Sequence, residues 1–462
     1  MSIEDILFAY PRFLRGYQIK RPYLAFDPVG TALAPNPFTG FRRYARPYDL
    51  ENRKFNDTIH IAIVSPRHYV DALLSAIEKL KFGSTRFPGM NYWFKVNLNL
   101  DPDNDVFIMD NIDINRCLLD TYECANIYDT FLKDNLRDLR NYDIISVVIP
   151  HTPVIQIDTP YYRSKAILAS EGLPSQMITF EILRDKNRLE WSLGNIALQI
   201  YVKLGGIPWV LYTPHNNFTP IFTIGFDYTI RRYSLAGKPE EIVGYAILFN
   251  PDGRYYYLKG LPIVGEENFQ EEFIKLLNEI IGDIRREFKE FLNENNIICI
   301  HYYRKIKRET KDSIRELMDN YGLKYVLLRV SKNMTFRIFD DSHHTYLPQS
   351  GTVVRLDKKL YLLLTAGRLK NVGLPIGTPR PILIEILDSN IDDLDETMKL
   401  EIIAHTYYLS FMNWRTLRIV NSFPATMIYA TLIARIAKSL QKTKYWERIV
   451  GNKQLMSTPW FV

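Results

Sequence analysis

Three consecutive apolar segments decide the fold of the larger half of this chain: TPIFTIGFDYTI (219–230), EEIVGYAILFN (240–250) and GRYYYLKG (253–260). The short turns between them, such as NPDG, predict three strands that pair antiparallel. A long helix at about 268–294 follows, and IICIHYY at 297–303 then predicts a buried strand. This is the order of an RNase H-like fold, so we expect a mixed sheet. The remaining elements are predicted as a helix at 309–320, strands at 324–331, 351–365 and 380–387, and helices at 394–411 and 425–440.

Upstream of these strands, the pattern changes to an alternation of strands and helices. Apolar runs occur at 58–65 (TIHIAIVS) and 143–150 (DIISVVIP), and amphipathic stretches lie near 69–81, 160–171 and 189–204. Strands and helices that alternate at this spacing predict a parallel sheet with helices on its faces. We therefore expect an α/β protein, and ligands of such sheets bind beyond the carboxyl ends of the strands.

The composition is that of a folded intracellular protein. The chain has 462 residues, of which 47% are apolar and 13% aromatic, and its formal net charge of +6 permits a polyanionic partner. The three cysteines, Cys117, Cys124 and Cys299, are expected to be reduced, because an odd count without CxxC spacing argues against a disulfide framework and a zinc site. The amino terminus lacks the basic residues of a signal peptide, and no apolar run predicts a membrane span, so we expect a cytoplasmic protein.

The segment NIALQIYVKLGG (195–206) places three long polar side chains on one face of an apolar helix. Asn195, Gln199 and Lys203 are spaced four residues apart, and the two glycines predict the end of the helix. Taken alone, each of these residues is explained equally well by a solvated helix face. Together they offer two amides and one ammonium group to a single ligand.

The segment YYRSKAILASEGLPSQ (161–176) follows the strand at 143–150 directly. Tyr161 and Lys165 lie one helical turn apart, and Gln176 comes after the turn. A terminal phosphate on a nucleic acid needs hydrogen-bond donors and positive charge, and its base needs a flat partner. These residues, with those of the preceding paragraph, supply all three.

The two segments, with GGIPWVL after the second, resemble the MID domain of Argonaute proteins, which holds the 5′ phosphate of a guide strand. The resemblance implies that Lys165, Gln176 and Lys203 contact the phosphate, that Asn195 lies nearby, and that the first base lies over Tyr161.

The resemblance also implies a divalent cation, Mg²⁺, beside the guide phosphate. It would be held by Gln199 and by the terminal carboxylate of Val462. The tail STPWFV fits this role, because three apolar residues at its end favour burial and would carry the carboxylate inward. A buried carboxylate in turn needs a cation.

The RNase H-like half resembles the PIWI domain of the same family, but its nuclease residues are incomplete. Such nucleases hold two Mg²⁺ ions with Asp, Glu, Asp and a fourth Asp or His. Asp227 matches the first position, and Glu266 or Glu267 is a weak match for the second. Lys305 and Thr431 stand at the third and fourth positions. An ammonium group at position 305 would repel Mg²⁺ and could pair either with Asp227 or with a backbone phosphate; Arg231 is the other candidate partner for this aspartate.

The sequence is therefore interpreted as a short prokaryotic, archaeal-type Argonaute without N and PAZ domains. It would consist of a linker-like wrapping segment (1–54), a Rossmann-like MID domain with a parallel sheet (55–215) and an RNase H-like PIWI domain with a mixed sheet (216–462). We expect it to anchor a 5′-phosphorylated guide and to recognise a complementary target without cutting it. The resemblance implies companion effector proteins and a role in defence against plasmids and viruses.

Two other interpretations remain open from the sequence. One is an active, metal-dependent guided endonuclease in which the region of Glu309 and Asp312 supplies the missing acid. The other is a protein that binds single strands without a guide. A cleavage assay distinguishes the first from the interpretation above. The effect of removing the 5′ phosphate on binding distinguishes the second.

Overall fold

The structure is a computed structural model that describes residues 16–110, 112–113, 117, 119–151, 159–212, 220–233, 237, 239–289, 296–304, 306–332, 335–369, 377–418, 421–439 and 443–462. The described chain forms a parallel sheet, a nine-stranded mixed sheet and a small antiparallel sheet. Its first elements are the strands β1 (Gly16–Gln18), β2 (Leu24–Ala25) and β3 (Leu33–Ala34) and the helix α1 (Pro37–Tyr44).

The parallel sheet confirms the predicted alternation of strands and helices. Its strands are β4 (Thr58–Pro66), β5 (Asn97–Asn99), β6 (Val106–Met109), β7 (Ile144–Ile149) and β8 (Ser175–Thr179). They run in the order β5-β4-β7-β8, with β6 also paired to β4, and every pairing is parallel. All six residues of β7 are buried, as expected for a central strand covered on both faces. The helices around this sheet are α2 (Val70–Phe82), α3 (Met90–Trp93), α4 (Thr121–Leu139), α5 (Pro160–Ser170), α6 (Phe180–Arg184) and α7 (Lys186–Lys203).

The strand β9 (Val210–Leu211) leads into the second half, where the predicted mixed sheet is confirmed. The strands of that sheet are β10 (Ile221–Tyr233), β11 (Pro239–Phe249), β12 (Tyr255–Gly260), β13 (Ile297–Tyr302), β14 (Lys324–Ser331), β15 (Thr352–Asp357), β16 (Leu360–Leu364) and β17 (Ile382–Ser389). The strand order is β1-β15-β16-β17-β14-β13-β10-β11-β12. The pairings β10–β13 and β13–β14 are parallel, whereas the others are antiparallel. The helices of this half are α8 (Glu266–Glu287), α9 (Arg308–Asn320), α10 (Glu396–Tyr408), α11 (Ala425–Ser439), α12 (Thr443–Gly451) and α13 (Lys453–Met456).

The amino-terminal segment lies against both halves. The strand β1 extends the nine-stranded sheet by pairing with β15, and β2 pairs with β9. Farther along, the buried carboxylate of Asp49 accepts hydrogen bonds from the Tyr201 hydroxyl at 2.5 Å and from the Ile207 N–H at 2.9 Å. These contacts tie the carboxyl-terminal end of α7 to a segment that lies about 150 residues earlier in the chain.

Two hydrophobic cores form on either side of the nine-stranded sheet. The smaller one lies between that sheet and helices α8 and α9, with Phe226, Phe273 and Ile314 among its members. The larger one fills the other side and continues into the parallel sheet. Apolar side chains buried on both faces of β13 explain why its sequence lacks strand-like alternation.

Three differences between the structure and the sequence predictions concern a strand, a helix and the cysteines. The strand predicted over 351–365 is a hairpin of β15 and β16 that turns at Lys358 and Lys359. The helix α4 was not predicted, although its Asp120 cap accepts hydrogen bonds from the N–H groups of Tyr122 and Glu123. The expectation of three reduced cysteines is wrong for two of them, which form the disulfide Cys117–Cys124, while Cys299 is a buried thiol.

None of the helices in the described ranges is both long enough and apolar enough to cross a bilayer.

Candidate nucleic-acid interface

A cavity of ≈ 290 Å³ lies at the carboxyl ends of β7 and β8. This is the edge at which parallel sheets bind their ligands. Helices α5 and α7 contribute Tyr161, Lys165, Gln199 and Lys203, and the second half of the chain contributes residues from α11 and the carboxyl terminus. The polar side chains around the cavity are His151, Tyr161, Tyr162, Lys165, Gln176, Thr179, Gln199, Lys203, Arg415 and Arg435.

Local sequence signals determine where the helices α5 and α7 begin and where α7 ends. The helix α5 starts at Pro160 behind the Thr159 cap, and α7 starts behind the Asp185 cap, whose carboxylate accepts from the N–H groups of Asn187 and Arg188. The predicted glycine stop after α7 is present, and Gly205 adopts a φ of +94°, which favours glycine over other residues.

The two lysines and Gln176 converge inside this cavity. The Lys203 ammonium donates to Gln176 Oε1 at 2.7 Å, and Lys165 Nζ donates to the Ser175 carbonyl at 3.2 Å. Lys165, Gln176 and Lys203 are 1%, 4% and 2% exposed, respectively. They therefore present their donors into an enclosed space and not to bulk water.

The two amides of α7 are used differently. Gln199 lines the cavity, accepts from Gln176 Nε2 at 3.2 Å and donates to the Arg415 carbonyl at 3.0 Å. Asn195 does not line the cavity, and its Oδ1 instead accepts from the Leu417 N–H at 2.9 Å. The structure thus places Asn195 as a support for the segment that carries Arg415.

An aromatic face borders the lysines. Tyr161 lines the cavity and packs edge-to-face against Tyr162, with 5.0 Å between the ring centroids. Burial raises the pKa of the Tyr161 hydroxyl, while the nearby Arg415 opposes this effect. The phenol is therefore neutral at physiological pH and can stack against a base.

Two arginines of the cavity were not identified in the sequence. Arg415 lies in the segment after α10, Arg435 lies on α11, and both are exposed at the rim of the cavity. They are more than 200 residues from Lys203 in sequence. No local spacing links them to the other site residues, so only the tertiary fold identifies them.

Two lysines and two arginines are among the residues that line the cavity. Burial lowers the pKa of Lys165 to about 7, partly offset by a hydrogen bond with Lys203 and reinforced by the charge of Arg415. Burial and the charges of Lys165 and Arg415 also lower the pKa of Lys203 well below its usual value. Among the described residues around the cavity, no acidic side chain lies beside these two lysines and two arginines, and the terminal carboxylate of Val462 is the one acidic group that lines it. One carboxylate does not balance these four basic groups when all are protonated, so the arrangement favours a further anion.

The donor set is compatible with Mg²⁺ beside such an anion. Val462 and Gln199 both line the cavity, and Val462 is 5% exposed. An amide oxygen has a second lone pair to offer, and Mg²⁺ is usually held by one or two carboxylates together with phosphate and water oxygens. Within the described ranges, no group of three or more His, Cys, Asp or Glu side chains is arranged to hold a metal ion.

Asp227, the first residue of the expected nuclease site, is paired with an arginine. Its Oδ1 lies 3.3 Å from Arg304 Nε, and Arg304 Nη2 donates to the Tyr228 carbonyl at 2.8 Å. Burial raises the pKa of Asp227, and the Tyr228 N–H and the Arg304 charge oppose this effect. The predicted partner Lys305 and the side chain of Arg231 lie outside the described residues.

The other expected nuclease positions in the described ranges are exposed or have different partners. Glu266 is an exposed residue in the first turn of α8 and lines a separate cavity of ≈ 510 Å³ that Asp227 does not border. The Thr431 hydroxyl donates to the Met427 carbonyl at 2.9 Å within α11. Glu309 and Asp312 are exposed on α9, where Asp312 faces Arg308.

The fold and the cavity together define an α/β protein of the Argonaute type, with a parallel sheet beside an RNase H-like mixed sheet. Residues 144–442 match the model of the Piwi domain, and the chain belongs to this family. It is 27% identical over 437 residues to a Piwi protein of Archaeoglobus fulgidus, with 92% of this chain and 93% of that protein aligned. It is 23% identical over 363 residues to an argonaute protein of Cereibacter sphaeroides, with 72% of this chain and 45% of that protein aligned.

Solved structures with this fold include larger proteins. Clostridium butyricum Argonaute bound to a guide DNA and a 19-mer target DNA superimposes with a TM-score of 0.64 and 20% identity, covering 92% of this chain and 53% of that one. Drosophila Piwi superimposes with a TM-score of 0.66 and 15% identity, covering 97% and 56%. The chain thus spans about half the length of these solved structures, and at these identities the likeness concerns the fold.

Proposed function

We propose that this chain binds a guide strand by its 5′ phosphate and presents that strand for pairing with a complementary target. The observation that carries the proposal is the cavity itself, in which two buried lysines and two rim arginines meet and the terminal carboxylate of Val462 is the single acidic group among the described lining residues. A terminal phosphate supplies the missing negative charge and the acceptors for these donors. The guide and target DNA held by Clostridium butyricum Argonaute support the proposal by analogy of fold.

Each residue of the cavity has a role in this proposal. Lys165, Gln176 and Lys203 donate to the phosphate from within, and Arg415 approaches it from the rim. The first base lies against Tyr161. Asn195 contributes by holding the Arg415 segment through Leu417.

A Mg²⁺ ion bound with the phosphate would be held by Gln199 and by the carboxylate of Val462. It would supply positive charge that offsets both the phosphate and the buried carboxylate. The residues of the chain would still provide the donors that recognise the phosphate and the aromatic face that orients the base.

We further propose that the chain does not cut the target. Asp227 is bonded to a guanidinium and Thr431 to a helix carbonyl, so neither is poised to bind a metal ion. The proposal includes the short MID–PIWI organisation (linker-like segment 1–54, MID domain 55–215, PIWI domain 216–462), a cytoplasmic location, and companion effectors that act in defence against plasmids and viruses.

A comparison of 5′-phosphorylated and 5′-hydroxyl strands tests the function. We expect wild type to bind the phosphorylated strand at least about tenfold more tightly, a difference of roughly 1.4 kcal/mol. Lys203→Met keeps a side chain of similar volume but removes the ammonium group. It should weaken binding of the phosphorylated strand and leave binding of the hydroxyl strand unchanged. Lys186→Ala is the matched control, because Lys186 is an exposed lysine at the other end of α7.

The same preparations separate the two alternatives. Equal binding of both strands by wild type, or equal losses in Lys203→Met, would favour a protein that binds single strands without a guide. Cleavage of a matched target with Mg²⁺ or Mn²⁺ that disappears in Asp227→Ala would establish an active nuclease and contradict the second proposal.

A further inference from the structure

Arg304 is paired with Asp227, the residue that matches the first position of the expected nuclease site. Two of its N–H groups are directed at the protein, one at the Asp227 carboxylate and one at the Tyr228 carbonyl. Its guanidinium also lies over the Tyr228 ring, 4.2 Å from the centroid. Three contacts fix the plane of the group, although its side chain is 44% exposed.

The fixed guanidinium still has donors to offer. Arginine carries five N–H groups, and in the described part of the chain the remaining ones have no acceptor. A planar guanidinium that is already held in one orientation is well placed to bind a phosphate, because less side-chain entropy is lost when the contact forms. The neighbouring charges are mixed: Lys332 lies close enough to act on Asp227, and the adjacent cavity carries Lys307, Glu266 and Glu267.

The position of Arg304 relative to the phosphate cavity follows from α11. Near the start of this helix, Thr426 lies against Gly225, where an added Cβ would be 3.1 Å from the threonine Cβ. Gly225 is two residues before Asp227, and Arg435 at the rim of the cavity is nine residues after Thr426. Nine residues span roughly 14 Å of helix. A strand anchored in the cavity and lying along α11 therefore passes over the edge that carries Arg304.

We propose that Arg304, oriented by Asp227 and Tyr228, is a binding residue for a backbone phosphate of the nucleic acid duplex, and specifically of the target strand. The inference rests on the proposed function, because it requires a guide anchored in the cavity. The site then retains the uncut target through a tethered cation in place of metal ions. Asp227 is a positioning residue that holds the guanidinium.

The test measures binding of targets that pair with progressively longer parts of a 5′-phosphorylated guide, in EDTA, with DNA strands and again with RNA strands. Arg304→Ala should bind short targets like wild type and should lose about fivefold for targets long enough to reach the site. For those long targets, the slope of log K against log salt concentration should decrease by about 1. Arg315→Ala is the matched control, because Arg315 is also 44% exposed and paired with an aspartate, Asp388, toward the other end of the sheet.

A neutral methylphosphonate in the target identifies the contact directly. Placed at each linkage of the target in turn, and in a second series at each linkage of the guide, it should weaken wild-type binding at one position in the target and leave Arg304→Ala unaffected at that position. A sensitive linkage found only in the guide would overturn the assignment of the contact to the target strand. Absence of any sensitive linkage, or the same loss in Arg304→Ala at every target length, would overturn the proposal.

Asp227→Asn distinguishes the tethered cation from a metal site. Asparagine keeps the Oδ1 atom that accepts from Arg304 Nε and so keeps the guanidinium oriented, but it removes the negative charge near the bound phosphate. Binding of long targets in EDTA should therefore be at least as tight as in wild type. Weaker binding would contradict the proposal. Binding of the guide alone, which depends on Lys203 and not on Arg304, is measured in parallel, so that failure of guide loading is recognised separately.

Discussion

At the scale of single residues, the decisive feature is that Lys165 and Lys203 are buried beside each other. Two neighbouring ammonium groups repel each other, and burial disfavours the charged form of each lysine. The pair is therefore incompletely protonated in the absence of a ligand. A phosphate reverses this balance, because its negative charge favours the ammonium form of each lysine.

Binding of a 5′-phosphorylated strand should therefore take up a proton. Because the pKa of Lys165 is about 7 without ligand, binding should weaken as the pH rises above 7, by up to tenfold per pH unit for each proton taken up. The measurement is the dissociation constant between pH 7 and pH 9, with calorimetry in buffers of different ionisation enthalpy. A 5′-hydroxyl strand is the control, and an equal slope for both strands would refute the linkage.

At the scale of secondary-structure elements, the carboxyl-terminal end of α7 is held by the amino-terminal segment. Asp49 bonds to Tyr201 and Ile207, which lie on either side of Lys203 in the sequence. The position of this site lysine therefore depends on a residue that contacts no part of the cavity.

Asp49→Ala should lower the free energy of unfolding by about 2 kcal/mol, because it leaves the buried Tyr201 hydroxyl and the Ile207 N–H without an acceptor. Urea denaturation measures this change. The same variant should weaken binding of the phosphorylated strand more than that of the hydroxyl strand. Glu51→Ala, which removes an exposed carboxylate paired with Arg46, is the control and should leave both properties unchanged.

Several strands and helices follow from local sequence signals, whereas contacts between distant elements do not. The strands β4, β7 and β14 and the helices α5 and α7 were predicted within a few residues, because apolar periodicity and caps are local signals. The structure places Tyr161, Lys165, Gln176, Gln199 and Lys203 around one cavity, and their role in binding a phosphate stays a prediction. Arg415, Arg435 and the Arg304 partner of Asp227 depend on packing between distant elements, which no local pattern encodes.

At the scale of the whole molecule, two buried histidines join the strands of the mixed sheet to its covering helices. His301 on β13 bonds to Thr426 and Thr406, and His405 on α10 bonds to Thr223. Burial lowers the pKa of each imidazole to about 3, and the charge of His405 adds to this effect at His301. Both rings are therefore neutral in the folded protein at any physiological pH.

The fold should lose stability in mild acid. Between about pH 6.5 and pH 3 the unfolded chain binds protons at these histidines that the folded chain does not, so stability falls as the pH falls through this range. Between pH 7 and pH 5 the loss should be about 2 kcal/mol for each histidine. Urea denaturation at both pH values measures it. His405→Gln should reduce the difference, whereas His344→Gln, at an exposed position, should not.

The rim arginines and the buried lysines of the cavity act at different moments of an encounter. Arg415 and Arg435 face solvent, so they attract an approaching strand before contact, whereas Lys165 and Lys203 are reached only after the phosphate has entered. Arg435→Ala should therefore lower the association rate constant and its dependence on ionic strength. Lys203→Met should mainly raise the dissociation rate constant. Stopped-flow measurements separate the two, and they would show a protein that captures strands of any kind quickly but retains only those with a phosphorylated end.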